Sequence, residues 1–142
     1  FSAISRSYIL FYQKYETTMR RIKIIVGDVS AVAVLSSGKT SEAIWDSLPI
    51  ENTVNTWGDE IYFDIPVTSA LDETAKEVVE KGDLGYWPTG KAFCIFFGPT
   101  PASKGDEIRP ASAVNIVGRV EGNTDLFKRV RDGENIKLER IE

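Results

Sequence analysis

The sequence predicts a mainly β protein, a closed β-barrel or a β-sandwich, with about eight short strands and two short helices. Runs of β-branched and apolar residues recur along the chain, and Gly, Pro, Asn and Asp fall between them where turns are expected. The strands do not alternate with helices, as they would in a parallel α/β sheet. A closed barrel would also remove exposed strand edges.

The first predicted elements are a hairpin and a short helix. Residues 22–26 (IKIIV) and 29–35 (VSAVAVL) are apolar, β-branched runs on either side of a two-residue Gly-Asp turn. Thr40 or Ser41 is expected to cap the N-terminus of the helix, and Pro49 is expected to end it.

The rest of the chain is predicted to form short strands around one long loop. Residues 98–110 combine glycines, prolines and charges, which is typical of a surface loop. Asn123 or Thr124 is expected to cap a second helix that runs through Val130. The remaining strands are predicted at residues 53–57, 60–65, 85–87, 92–97, 113–120 and 136–141.

Length and charge limit the classes of protein. The 142 residues fit one domain. The 17 basic and 21 acidic residues give a net charge of -4, which disfavours a nucleic-acid partner. Apolar runs are too short to span a bilayer, so no membrane partner is expected. With one cysteine, Cys94, a reducing cytoplasmic setting fits best. No cofactor and no metal are implied.

The chain contains no histidine, which excludes several catalytic arrangements. Histidine is required for Ser-His-Asp catalysis, for Cys-His catalysis and for zinc sites built on two histidines. Without such a partner to lower its pKa, Cys94 is expected to be a buried structural residue. The run SGKT at residues 37–40 resembles the end of a phosphate-binding loop, but Ala33 stands where that motif needs glycine. Lys39 is therefore expected to be an ordinary exposed lysine.

The first 18 residues differ from the rest. The only methionine, Met19, precedes the first apolar strand, so residues 1–18 are interpreted as an N-terminal extension and 19–142 as the domain. Apolar residues at helical spacing could make the extension a short helix. Such a helix could dock on a neighbouring chain and produce a homo-oligomer. These apolar residues are Ile4, Tyr8, Phe11, Tyr12 and Tyr15.

Three segments, residues 55–63, 82–98 and 110–120, are together rich in aromatic, glycine and small polar residues, with the aromatics in the first two. Most aromatics in such strands belong to the core, but several here fall at turns or strand ends. Tyr and Trp combine an apolar body with one hydrogen-bonding atom, which suits the wall of a ligand pocket. The candidate ligand-binding residues are Asn55, Trp57, Glu60, Tyr62, Tyr86, Trp87, Phe96, Ser112 and Asn115.

Two carboxylate doublets, Asp59-Glu60 and Asp106-Glu107, are expected to be solvated loop charges. Neighbouring strand residues point to opposite faces, so neither doublet by itself forms the facing pair of a glycosidase. An enzyme that uses Glu60, Asp59 or Tyr62 as acid or base remains an alternative, because a pocket can raise the pKa of a carboxyl.

A family resemblance supports the barrel. Residues 114–142 resemble the C-terminal end of cyclophilins, with Gly-Arg-Val-Glu-Gly at 118–122 as the matching run, and residues 92–98 are similar to their Gln-Phe-Phe strand. Residues 55–63, 82–98 and 110–120 together more closely resemble a small bacterial and archaeal family of cyclophilin-like proteins of unknown function. The resemblance covers about residues 20–141 and implies a closed β-barrel with two helices at its ends.

The resemblance also implies a site that this chain does not fully match. In cyclophilins an arginine polarises the proline amide beside an apolar pocket with His and Trp at its rim. Counting along the motifs places Val114 where the His is expected and Ile95 where a peptide-binding Gln is expected. Residues 54–57, the region of the arginine, contain none. The favoured function is therefore binding of a small molecule or peptide without strong catalysis, and a weak prolyl isomerase is the alternative.

Overall fold

The computed structural model describes residues 20–142 and confirms the mainly β barrel. Ten strands form one antiparallel sheet, and the two beyond the predicted number, β4 and β6, are two-residue pieces. The strands are β1 (Arg20–Val26), β2 (Val29–Leu35), β3 (Ile50–Thr53), β4 (Asn55–Thr56), β5 (Glu60–Asp64), β6 (Ala75–Lys76), β7 (Asp83–Trp87), β8 (Ala92–Phe96), β9 (Val114–Val120) and β10 (Asn135–Arg140). The helices are α1 (Lys39–Ser47) and two 3-10 helices (Pro88–Gly90 and Thr124–Arg129).

One chain segment brings the two ends of the sheet together. The strand order is β3-β10-β1-β2-β9-β7-β8-β5-β4, so its two end strands, β3 and β4, are consecutive in the chain. Between them, the Val54 amide donates to the Glu134 carbonyl at 2.9 Å. The Asn52 side chain donates to the Asp64 carbonyl of β5, also at 2.9 Å. The prediction of one strand over 53–57 is wrong because the chain changes partner at Val54.

The barrel interior holds the larger apolar core. Alternate residues of β1, β5, β8 and β10 point inward, which gives the fully buried Ile24, Phe63, Phe93 and Leu138. Ile44 of α1 and Phe127 of the second 3-10 helix are also buried in this core. The two helices therefore cover the barrel with apolar side chains.

The predicted cap of α1 is wrong. The residue before the helix is Gly38, which offers no side-chain cap. Thr40 and Ser41 lie inside the first turn, where their hydroxyls hydrogen-bond to Ser69 and to the Val117 carbonyl. Both side chains are used to attach the helix to the barrel instead of closing its first turn. Lys39 is exposed at the helix start, as predicted.

A second, smaller apolar cluster lies on the outer face of the sheet. Ala92, Cys94 and Phe96 of β8 point outward and pack with Val114 of β9 and Ile108. Residues 97–113, which we call the β8–β9 loop, cover this face. The buried position predicted for Cys94 is confirmed, since the residue is only 1% exposed.

Residues 1–19 lie outside the part of the chain that the structure describes. The N-terminal extension and its proposed role in oligomerisation concern those residues and remain expectations. Within residues 20–142, the structure contains no helix long and apolar enough to cross a membrane.

Candidate functional site

A hollow of about 270 Å³ opens on the outer face of the barrel, and we call it the outer hollow. Its walls come from the turn before β5, from β5 itself, from the end of β7, from the start of β9 and from the β8–β9 loop. Most of its lining is aromatic or aliphatic. The lining residues are Trp57, Glu60, Tyr62, Trp87, Pro110, Ala111 and Val114.

The alternation of β5 explains why an acid and a phenol share one wall. Ile61 and Phe63 face the barrel interior, so Glu60 and Tyr62 face outward. The register pairs Glu60 with Phe96 and Tyr62 with Cys94 on β8. The outward apolar residues of β8 therefore lie next to these two polar side chains, outside the lining itself.

The turn before β5 is fixed against the β8–β9 loop. Gly58 has a φ of +61°, and a Cβ there would lie 2.9 Å from atoms of Pro99, Thr100 and Pro101. The Asp59 amide donates to the Pro99 carbonyl at 3.0 Å. Only glycine allows both the backbone conformation and the close approach, so this turn holds Trp57 at the rim.

The β8–β9 loop is tied together by its own polar groups. The buried Thr100 hydroxyl donates to the Arg109 carbonyl, and the Arg109 amide donates to Ser103 Oγ at 3.0 Å. An isolated β-bridge joins Ile108 to Val79. These contacts give the loop a defined course, which brings Pro110 and Ala111 to the hollow.

Trp87 is held in place from two sides. Its indole Nε1 donates to Ser112 Oγ at 2.6 Å. A Cβ at Gly90 would lie 2.7 Å from the indole ring, so the turn after β7 packs directly on it. Trp87 thus presents its ring to the hollow while its N–H is already bonded to the protein.

Glu60 is the electrostatic centre of the hollow. It is only 6% exposed, and burial raises the pKa of its carboxyl to about 7, against a lowering contribution from the Cys94 thiol. Burial, and then the contact with Glu60, raise the pKa of Cys94, so the thiol stays protonated. Among residues 20–142, no lysine or arginine forms an ion pair with Glu60.

The raised pKa of Glu60 has a chemical consequence. A carboxyl with a pKa near 7 is partly ionised at neutral pH, so it can accept or donate a hydrogen bond or a proton.

The prediction that Glu60 is a solvated loop charge is wrong, because β5 places its side chain under the β8–β9 loop. Asp59 lies against Gly98 and does not line the hollow. Acid-base catalysis by Glu60 or Tyr62 stays a prediction.

The structure brings together five of the nine candidate ligand-binding residues. Trp57, Glu60, Tyr62 and Trp87 line the hollow, and Ser112 contacts the Trp87 indole. All five lie at strand ends, turns or outward strand positions, where their side chains can reach the same space.

The other four candidates serve elsewhere. Asn55 is exposed and donates to the Tyr62 carbonyl, and Tyr86 is buried in the barrel core with its hydroxyl on the Val67 carbonyl. Phe96 lies in the outer apolar cluster without lining the hollow. The fully buried Asn115 accepts from the Asp72 amide and donates to the Ala70 carbonyl, both at 2.9 Å. It holds the 68–74 segment, with no atom on the lining.

Three lining residues were absent from the candidate set. Pro110, Ala111 and Val114 carry no polar side chain, although all three fall within residues 110–120, one of the three segments singled out in the sequence. Val114 was found only through the family resemblance, as the position of the missing His. The motif count that matched Ile95 to the peptide-binding Gln of cyclophilins is wrong, because Ile95 is buried in the barrel interior and does not line the hollow.

The lining of the hollow includes no arginine. Arg109 forms an ion pair with Glu107 at 2.7 Å, and Arg119 pairs with Glu80 and Asp83 at 3.0 Å each. Within residues 20–142, no group of three or more Cys, Asp and Glu side chains is arranged to hold a metal ion.

The barrel and its outer hollow define a class: a small antiparallel β-barrel with an aromatic-lined hollow on its outer face. The family model for cyclophilin-like proteins matches residues 20–139. The solution structure of a hypothetical protein from Archaeoglobus fulgidus is 44% identical over 87% of this chain and 96% of that one, with a TM-score of 0.76. A search of curated proteins finds no match. The chain belongs to the cyclophilin-like family.

Proposed function

We propose that this protein is a binding module whose outer hollow takes a small molecule or a single side chain of a peptide. The observation that carries the proposal is the lining itself, in which three aromatic residues share one hollow with a buried carboxyl. Ligand pockets are typically concave, mostly apolar and furnished with few polar groups. At about 270 Å³ the hollow suits a compact ligand.

Binding ranks above prolyl isomerisation because of what the hollow contains. Isomerisation of the cyclophilin type needs an arginine beside the proline amide, and none lines the hollow. An isomerase assay on a proline peptide measures this directly, since the uncatalysed reaction takes roughly tens to hundreds of seconds. Acceleration at micromolar protein that Trp57→Ala abolishes would favour the isomerase instead.

A fragment screen tests the binding function. Trp57 and Trp87 line the hollow, whereas Trp45 lies on α1 under the guanidinium groups of Arg20 and Arg140. Compounds that bind the hollow should shift the indole N–H signals of Trp57 and Trp87 in an NMR spectrum and leave that of Trp45 in place. Trp57→Ala should abolish this binding, and the matched Trp45→Ala variant should keep it. Binding that survives Trp57→Ala would place the site elsewhere.

The setting of the protein is also proposed rather than observed. A cytoplasmic location fits a chain whose single cysteine is buried as a free thiol. If residues 1–18 mediate association, light scattering should give the mass of an oligomer for the full chain and the mass of a monomer once those residues are removed.

A further inference from the structure

We propose that the ligand of the outer hollow is a small organic cation, an apolar body that carries an ammonium group held beside Glu60. This proposal rests on the proposed binding function, because it names the class of ligand for the same hollow. Two features of the lining carry it: a buried carboxyl that forms no ion pair within residues 20–142, and aromatic rings that line the same hollow.

The first feature is a buried acid without a cation. Glu60 is only 6% exposed, yet no lysine or arginine of residues 20–142 pairs with it. A buried carboxylate is costly unless a partner of opposite charge compensates for the lost hydration. Arg109, the arginine of the covering loop, is already paired with Glu107. A ligand ammonium would supply the missing charge.

The second feature is the aromatic wall. Trp57, Tyr62 and Trp87 line the same space as Glu60, and aromatic rings attract cations through their quadrupole. The Trp87 N–H is bonded to Ser112, so its ring is the part left to a ligand. An anionic ligand would instead meet the Glu60 carboxylate and a chain of net charge -4. Charge and aromatic surface therefore both favour a cation.

The ionisation of Glu60 gives the proposal a pH signature. The other titratable groups beside Glu60 are the Cys94 thiol of β8, whose pKa is raised, and the Tyr62 phenol of β5. The remaining lining residues do not titrate, and they are Trp57, Trp87, Pro110, Ala111 and Val114. Burial raises the Glu60 pKa to about 7, so the carboxylate form grows as pH rises through that value. A cation should bind more tightly over this range.

The experiment compares charged and neutral probes of the same shape on the full chain. The pairs are phenethylamine with 2-phenylethanol, and choline with 3,3-dimethylbutanol. NMR titration of the Trp57 and Trp87 indole signals measures each affinity. We expect the cation of at least one pair to bind about tenfold more tightly than its neutral partner at about pH 8. Its affinity should fall about tenfold between about pH 8 and about pH 6, since Glu60 takes up a proton.

Glu60→Gln keeps the shape of the side chain and removes its charge. In this variant the cation should lose about tenfold in affinity, its pH dependence should vanish, and the neutral probe should be unaffected. Asp59→Asn is the matched control, because Asp59 is the neighbouring carboxylate but lies outside the lining.

The outcomes separate the two proposals. If neutral probes bind as well as the cations, or bind better at low pH, the hollow is a binding site but the cation proposal is overturned. If Asp59→Asn weakens binding of the cation as much as Glu60→Gln does, the overall negative charge of the protein accounts for the preference for cations. The proposal is then also overturned. If every probe has a Kd above about 10 mM at the hollow, the cation proposal fails, while fragments that still bind there preserve the binding function.

Discussion

The two faces of strands β5 and β8 differ in how their side chains are packed. On the inner face, Phe63 and Phe93 lie with ring centroids 5.5 Å apart in a filled core. On the outer face, Tyr62 pairs in register with Cys94, and open space remains between the strand and the β8–β9 loop. The same two strands therefore build a core on one side and a ligand-sized hollow on the other.

The comparison shows that burial alone does not distinguish a core from a site. Every residue of β8 is buried, because one face lies in the barrel and the other under the loop. A strand covered on both faces reads as a continuous apolar run. What separates the faces is the outer side of β5, where Glu60 and Tyr62 stand in place of aliphatic residues.

The largest expected difference between the faces is in stability. Phe63→Ala removes a fully buried ring and should lower the free energy of unfolding by about 3–5 kcal/mol. Tyr62→Ala, one residue away on the half-buried outer face, should cost about 1 kcal/mol. Urea denaturation measures both. Equal losses would mean that the outer face is packed as tightly as the core.

The second-largest expected effect is a pH dependence of the free energy of unfolding that comes from Glu60. Its pKa rises from 4.5 in the unfolded chain to about 7 in the native protein, so the native state binds more protons between these values. The stability of the wild type should therefore fall as pH rises through this window. Glu60→Gln, which cannot ionise, should be more stable than the wild type by about 2–3 kcal/mol at about pH 8 and equally stable near pH 4.

Urea unfolding of both proteins across that range measures the difference. Parallel stability profiles for the wild type and Glu60→Gln would show that the outer face does not desolvate this carboxyl.

The smallest effect is expected at the rim. Ser112→Ala removes the acceptor of the Trp87 indole N–H and should cost about 0.5–1 kcal/mol, because this hydrogen bond is exposed and the indole N–H that is left can bond to water. Faster hydrogen exchange of the Trp87 indole proton should accompany it. The exposed Ser37 provides a matched Ser→Ala control. Unchanged exchange in Ser112→Ala would mean that packing on Gly90 alone holds the ring.

The candidate site could be predicted in part. Residues at turns and strand ends, such as Trp57 and Trp87, were found because an amphipathic aromatic there is seldom needed by the core. Tyr86 and Asn115 were misassigned because their polar atoms satisfy backbone groups that are distant in sequence, Val67 and Asp72. Pro110 and Ala111 carry no chemical signal, and the course of the loop alone brings them to the hollow.

The fold followed local patterns more closely. The β1–β2 hairpin pairs Val26 with Val29 across the predicted turn, as local turn chemistry requires. The helix cap at Thr40 and the strand over 53–57 were wrong where distant partners compete, Ser69 for the hydroxyl and Glu134 for the Val54 amide. At these contacts, distant partners overrode short-range preferences.

By itself, the sequence determined the class of fold, the turns between strands and the exclusion of histidine chemistry, because each depends on residue types close together in the chain. Only the tertiary structure decided which face of β5 and β8 is covered by packed side chains and which by a loop. That choice buries Glu60 beside aromatic rings and shifts its pKa to about 7. Desolvation depends on what lies above a side chain, and here that cover is a loop some forty positions further along the chain.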